Sequence, residues 1–322
     1  DSATPFFLTG LTYAIIMITS LIMLYFNSWE RPTDDVVDES THGFMEGFNK
    51  LFTDLFSTFK LKTFRTHLGM YLFGFGAEWL FTATFTYFIV FNLEQPRTFV
   101  SEMNSLSSIC QFFSTAFFMM WCAKRGFKRP FIIAILIVVS SVIGYVGVYY
   151  LNIPHMTWLI IGITIWFGLG TGGVYYIPWS VYVFLADVDE VLTGRRREGL
   201  YAGAMVMAGK LMRATVVFCL GVVLSLFGFE SGIHHQPASA VNAINVAGMA
   251  LIGIYFSVKM KLDKASHAEI TKELERLKKG GRKEDATPEI RKLVKQLTGY
   301  EYDQCFGNNN VGFKFENKAG AF

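Results

Sequence analysis

The segment Ala186-Asp-Val-Asp-Glu-Val-Leu-Thr-Gly-Arg-Arg-Arg-Glu-Gly-Leu-Tyr201 sets acids and bases between two long apolar runs. Asp187 and Asp189 end the first run, Arg196, Arg197 and Glu198 open the second, and Lys210 and Arg213 lie inside it. Such groups can pair with one another or hand on an ion or a proton. From Glu198 to Lys210 is twelve residues, roughly 18 Å of helix at about 1.5 Å per residue. A hydrocarbon core is about 30 Å thick, which places Lys210 near the bilayer midplane. A charge at that depth costs roughly 2.5–3.5 kcal/mol on insertion scales and marks a pathway or a paired site. Glu78, eleven residues after His67 in another apolar run, is a second midplane charge. It needs a partner or a proton, and Lys210 and Arg213 are the candidate partners. Glu102 lies only a few residues into its run and reads as interfacial. Charges so placed imply a path for a solute or ion through a membrane.

Composition agrees. Of 322 residues, 52% are hydrophobic and 17% charged, against nearer 25% charged in a soluble domain. The net charge of +3 is too small to argue for a nucleic-acid partner. Cys110, Cys122, Cys219 and Cys305 show neither metal nor disulfide spacing and read as unpaired packing residues. No nucleophile–base pair, phosphate loop or metal motif appears, so nothing points to an enzyme, a metal site or a cofactor.

The elements that must position these charges are helices. Seven apolar stretches are long enough to span a bilayer: Pro5–Phe26, His67–Asn92, Phe99–Cys122, Pro130–Tyr150, His155–Leu185, Leu200–Phe229 and Ala240–Met260. Lys124, Arg125, Lys128 and Arg129 follow the third, and Arg195 to Arg197 follow the fifth. Connections on the other side carry one positive charge in Glu94-Gln-Pro-Arg97 and none in Leu151–Pro154 or Gly228–Ser239. The positive-inside rule then sets the N-terminus outside and the C-terminal tail in the cytoplasm. The opening Asp1-Ser-Ala-Thr-Pro runs straight into a span without initiator Met or basic leader. It is expected to lie in the middle of a larger protein.

Two regions do not span. In the cytoplasmic linker 27–66, Phe44, Phe48, Leu51, Phe52, Leu55, Phe56 and Phe59 share one helical face. That face fits a helix lying in the interface or one packed under the bundle equally well. The tail, 261–322, predicts a short helix bearing Ile270, Leu274 and Leu277 and stopped at Gly280-Gly281. A second helix starts at Thr287-Pro288 and ends near Gly299. The tail reads as solvated, with its last twenty residues disordered.

Several motifs carry a resemblance. Tyr175-Tyr-Ile-Pro-Trp-Ser180, Ala186-Asp-Val-Asp189, Thr193-Gly-Arg-Arg-Arg-Glu-Gly199 and Lys210 resemble the glycoside–pentoside–hexuronide:cation symporter family of the major facilitator superfamily. His67-Leu-Gly-Met70 and the basic turn Trp121-Cys-Ala-Lys-Arg-Gly-Phe-Lys-Arg129 are similar to two more of its segments. The resemblance implies an all-α membrane fold whose seven spans correspond to helices VI–XII of a twelve-helix transporter. Residues 1–26 would then be the last helix of the N-terminal bundle and 67–260 the C-terminal six-helix bundle. It implies Na+- or H+-coupled symport of a sugar or glycoside across the inner or plasma membrane. The main cation site is expected on helices that this chain lacks, and the N-terminal bundle is an implied partner.

On that mapping Lys210 links cation and sugar sites, or else forms a buried structural pair. Asp187, Asp189, Arg196, Arg197 and Glu198 would lock the two halves at the cytoplasmic end, or else form a solvated loop. Gly199, Ala202, Gly203, Gly209 and Ala214 lie close to the face of Lys210 and Arg213, and small residues permit close helix packing. Tyr175, Tyr176 and Trp179 suit a pyranose platform or ordinary core packing. A family relative carrying lysolipids is the alternative. A seven-helix receptor or retinal protein is a remote one, since its Schiff-base lysine belongs in the last span and Lys210 is in the sixth.

Overall fold

The computed structural model describes residues 4–28, 43–151, 156–194, 197–226 and 259–306. Among them are nine α-helices and no strand. They are α1 Thr4–Asn27, α2 Phe44–Ser57, α3 Lys62–Tyr87, α4 Arg97–Arg125, α5 Lys128–Leu151, α6 Met156–Thr193, α7 Glu198–Leu226, α8 Lys264–Lys278 and α9 Pro288–Thr298. The chain divides into a unit of residues 1–49 and a unit of residues 50–322.

In the first unit α1 is apolar all round, with its described side chains exposed. Its polar side chains turn back on the helix: Thr12, Thr19, Ser20 and Asn27 each donate to the carbonyl four residues earlier. That is how a lone helix satisfies its polar groups in lipid.

Among the described residues five helices are long and apolar enough to cross a membrane: Phe7–Asn27, Arg97–Arg125, Lys128–Val148, Met156–Thr193 and Glu198–Val222. The expected span His67–Asn92 is also helical, as α3 followed by a π turn at Phe88–Asn92. Gly69, Gly74, Gly76, Glu78, Thr82, Thr84 and Thr86 make α3 less apolar than those five. Apart from its last two residues, the seventh expected span, Ala240–Met260, lies outside the described residues.

The second unit is built around α6. At 38 residues this helix is roughly 57 Å long, well beyond a hydrocarbon core of about 30 Å. Glycines let its neighbours close in. A Cβ at Gly168 would lie 2.6 Å from the Ser107 carbonyl oxygen, and one at Gly172 2.8 Å from the Ser114 Cβ, both on α4. At Gly173 it would meet Ala134 of α5 at 2.6 Å. Helices in lipid gain association energy from such close approach. At one end Tyr145, Thr164 and Met103 join α5, α6 and α4, with 2.6 Å between the two hydroxyls.

At the other end α6 does not stop at Leu185. It continues helically through the acidic segment to Thr193, and Val188, Asp189 and Val191 have no exposed surface. From Asp187 to Thr193 the segment is therefore helix and not a solvated loop, while 195–196 lie outside the described residues. What covers it is the tail, which corrects the expectation of a solvated one. Ile270, Val294, Leu297 and Cys305 are 0% exposed and belong to the same core cluster as Leu185 and Val188. The Phe306 amide donates to the Val191 carbonyl at 2.7 Å, and the Thr63 hydroxyl donates to that of Leu297 at 2.5 Å. Both tail helices form as expected, the second with Thr287 as cap, Pro288 in its first turn and Gly299 left-handed at φ 89°. Of the last twenty residues, Cys305 and Phe306 are buried, and 307–322 lie outside the described residues. The amphipathic helix is α2. Leu55 is buried on the core and Phe59 just beyond it is partly buried there, while Leu51, Phe52 and Phe56 stay open.

Inside the tail, Arg276 donates two hydrogen bonds to Glu273, at 2.9 and 2.7 Å, and Tyr302 donates to the same carboxylate. Arg276 holds the Glu273 carboxyl below the usual value of 4.5, and burial pushes the Cys305 thiol up to about 11. A depressed carboxylate stabilises the fold above its unfolded value and stops doing so as pH falls through its folded one. Cys305 should therefore resist a pyridyl disulfide reagent, with the other cysteines replaced by serine, from neutral pH down to about 4.5. Labelling should rise below that value. Phe306→Ala, which removes a buried ring worth about 3 kcal/mol, should expose Cys305 at neutral pH. Equal labelling rates in parent and variant would disprove the docked tail.

Candidate functional site

Two clusters of polar side chains stand out, one at the charged end and one deeper between α3, α6 and α7. At the charged end each acid of α6 has its own partner. Asp189 takes Arg197 in a two-pronged pair, Nε and Nη2 each at 2.8 Å, and accepts from the Tyr201 hydroxyl at 2.7 Å. Arg197 also donates from Nη1 to the Ser57 hydroxyl at 2.8 Å, so one guanidinium ties α2, α6 and the start of α7. The planar fork of arginine allows this and a lysine would not. Asp187 meets His267 of α8 at 2.6 Å, the ring lying edge-on to Phe184. Glu190 pairs with Lys278 at the other end of α8.

The sequence singles out Asp187, Asp189 and Arg197 here, and the structure gives each a partner within this unit. Glu198 opens α7, and Arg196 lies outside the described residues. Ser57, Glu190, Tyr201, His267 and Lys278 were missed. Glu190 adjoins the quoted acids and was available as a third one. The tail residues carry no sequence signal, because nothing in a helix pattern says what its charges will face.

The deeper cluster begins on α3, where Tyr71, Phe75, Glu78, Trp79 and Thr82 follow helical spacing. Tyr71 and Phe75 rings are 4.7 Å apart and Phe75 and Trp79 5.6 Å. From α6, Tyr175 meets Phe75 at 4.8 Å and Trp179 meets Tyr71 at 5.9 Å, both edge-on. Tyr175 and Trp179 are four residues apart and share a face, while Tyr176, turned about 100° away, has no ring partner among the described residues. All three are partly buried against the core. The Tyr71–Phe75–Trp79 stripe was legible as an i, i+4, i+8 series.

Glu78, 7% exposed, accepts from the Thr82 hydroxyl at 2.8 Å through one oxygen. Its other oxygen, Oε2, is buried with no hydrogen-bond partner, although the Tyr175 hydroxyl and the Arg213 charge act on it. Arg213 thus attracts Glu78 without a direct ion pair. Lys210 makes no ion pair among the described residues and is exposed, as is Arg213, so the expected Lys210–Glu78 pairing is absent. Of the small residues expected to allow close packing, Gly199 and Gly203 face open space, while Gly209 faces Tyr71 where α3 and α7 meet, and Gly76 of α3 faces Met212. Glu102 is exposed near the start of α4.

The arrangement is an aromatic wall with a buried carboxylate beside it and two cations on the open side of α7. A model of the MFS/sugar transport protein family matches residues 1–262. The chain belongs to that family. An uncharacterized symporter of Synechocystis sp. is 27% identical over 232 residues, which cover 67% of this chain and 41% of that protein. The chain thus spans about two fifths of the length of the curated relative it matches. The family match and the apolar helices make it a membrane protein with several spans, and they point to transport.

Breaking the charged end should be expensive. Arg197→Ala leaves Asp189 buried without its cation, at a cost of roughly 3–5 kcal/mol. The purified protein should melt earlier, and the Arg197→Ala/Asp189→Ala double variant should recover part of the loss. Costs that simply add would mean the two groups do not act as a pair.

Proposed function

We propose that this chain is the C-terminal part, helices VI–XII, of a cation-coupled symporter that carries a sugar or glycoside by alternating access. The N-terminus would face outward, and the tail would face the cytoplasm of the cell's inner or plasma membrane. Family membership and the symporter relative support transport. The observation that carries the finer reading is Glu78, a buried carboxylate with one unengaged oxygen beside an aromatic wall and near Arg213. A buried acid without a direct counter-ion binds a proton or cation at modest cost. Solute that displaces or recruits that cation is coupled to it.

In this reading the solute binds between this bundle and an N-terminal one that supplies the other wall and the main cation site. Tyr175 and Trp179 present ring faces and edges to a pyranose, with buried Tyr71 behind them, and Tyr176 supports them from the next face of α6. Lys210 and Arg213, on the open side of α7, face the solute and the missing bundle. Alternating access is then a rocking of two bundles about a midplane site. The charges at the end of α6 keep this bundle rigid as it rocks. Asp187, Asp189, Glu190 and Arg197 are engaged within it.

The test is uphill uptake by the complete protein in proteoliposomes, with a panel of methyl glycosides under an imposed Na+ or H+ gradient. Glu78→Gln should lower coupled accumulation by on the order of tenfold and leave downhill exchange measurable, since it removes a charge while keeping the shape. Lys210→Ala should abolish coupled uptake. Gradient-driven accumulation that persists in both variants would remove these residues from the coupling. Accumulation of lysolipids and of no glycoside would overturn the substrate class.

A further inference from the structure

A second cavity lies away from the charged residues of the solute site. A groove of about 260 Å³ runs between α4, α5 and α6, walled by Phe113, Phe117 and Trp121 of α4, Ile137 of α5 and Leu169 of α6. Its floor is formed where Gly172 and Gly173 of α6 draw the neighbouring helices in. The one hydroxyl in it, Ser114, is engaged, donating to the Leu169 carbonyl at 2.5 Å. The interior of the groove therefore offers a ligand apolar surface. The exception is at one end, where the partly exposed Trp121 has no hydrogen-bond partner for its indole N–H among the described residues.

That end abuts the turn between α4 and α5. Lys124, Arg125, Lys128 and Arg129 fall within six residues there, all exposed. None of them has an ion pair among the described residues. Lys264 of α8 reaches the same place, its Nζ donating to the Ala123 carbonyl at 2.7 Å. Five cations thus surround the mouth of an apolar slot. From Arg125 back to Phe113 is twelve residues, roughly 18 Å of helix. One leaflet of hydrocarbon is about 15 Å deep. Along α4 the slot itself runs from Phe113 to Trp121, eight residues or roughly 12 Å of helix, which takes most of an acyl chain's passage through that leaflet, with positive charge one turn further on, where the phosphate of that lipid would lie.

We propose that this groove seats one acyl chain of an anionic glycerophospholipid whose phosphate is held by the basic turn. Trp121 sits at the depth of the glycerol esters and can donate its N–H to an ester carbonyl, the usual place for tryptophan in a membrane protein. Basic residues beside a crevice between helices favour anionic headgroups. The site does not depend on which solute is carried, because it uses none of the residues assigned to transport.

The experiment titrates the complete protein in phosphatidylcholine nanodiscs with phosphatidylglycerol brominated at mid-chain. Quenching of Trp121 is read as the difference between the parent and Trp121→Phe. The expected result is quenching of Trp121 with a preference over brominated phosphatidylcholine on the order of fivefold to thirtyfold, the worth of one or two engaged cations. Ile137→Phe, which fills the slot and leaves every charge in place, should remove that quenching. Lys124→Gln/Arg125→Gln and Lys128→Gln/Arg129→Gln should each reduce the preference while the brominated chain still quenches. Equal quenching by the two lipids, or quenching unchanged by Ile137→Phe, would overturn the proposal. Full displacement of the brominated lipid by soluble glycerophosphate would also overturn it, because the site would then be a phosphate site without a seat for the chain.

Discussion

Asp189 has no exposed surface, and a carboxylate so placed is tolerable only when its oxygens are engaged. Arg197 and Tyr201 engage them, and the remaining arm of Arg197 reaches Ser57. One buried charge therefore determines where α2 ends, how α7 leaves the turn after α6 and why the last two turns of α6 are helical. The tail completes the arrangement. Its α8 answers Asp187 with His267 and Glu190 with Lys278, and its apolar residues close over the backbone between them. Removing one partner of such a set leaves the other desolvated and uncompensated, which is why buried networks of this kind act as units.

The deeper site has the opposite character. It is left partly unsatisfied, with one oxygen of Glu78 lacking a hydrogen bond and with Lys210 and Arg213 exposed on α7. The two sites are joined by shared helices, since α6 carries both Tyr175 and Asp189 and α3 runs from Thr63, bonded to the tail, to Glu78. Glycine contacts hold α6 against α4 and α5 at near-backbone distance, so that end of the bundle and the aromatic wall move as one body. A transporter that rocks needs such a body, and it needs unsatisfied polar groups where solute and cation bind.

The helices were legible because lipid demands apolar runs of known length: α1, α4, α5 and α7 match the runs read from the chain to within a few residues, and α6 matches at its start but runs on past Leu185 to Thr193. Less legible was α3, whose threonines, glycines and Glu78 serve its inner face at the expense of its hydropathy. Glu78 could be picked out as a charge that does not belong in hydrocarbon, with Lys210 and Arg213 as its candidate partners. Of the two, Arg213 supplies the attraction, and the hydrogen bond comes from Thr82, one turn along α3, which the sequence did not single out. The tail was misread for a related reason. Ile270, Leu274 and Leu277 reveal an apolar stripe, yet a stripe does not say whether it will find a surface to cover.

What the chain determined by itself was therefore whatever depends on local composition: the helices, their ends at Thr287-Pro288 and Gly299, the family motifs and the membrane setting. Only the tertiary structure decided which charges meet. His267 and Asp187 are 80 residues apart, and Arg197 and Ser57, which also close the charged end, are 140 apart. A hydrogen bond reaches about 3 Å, so its two partners are named only once the helices that carry them are in place.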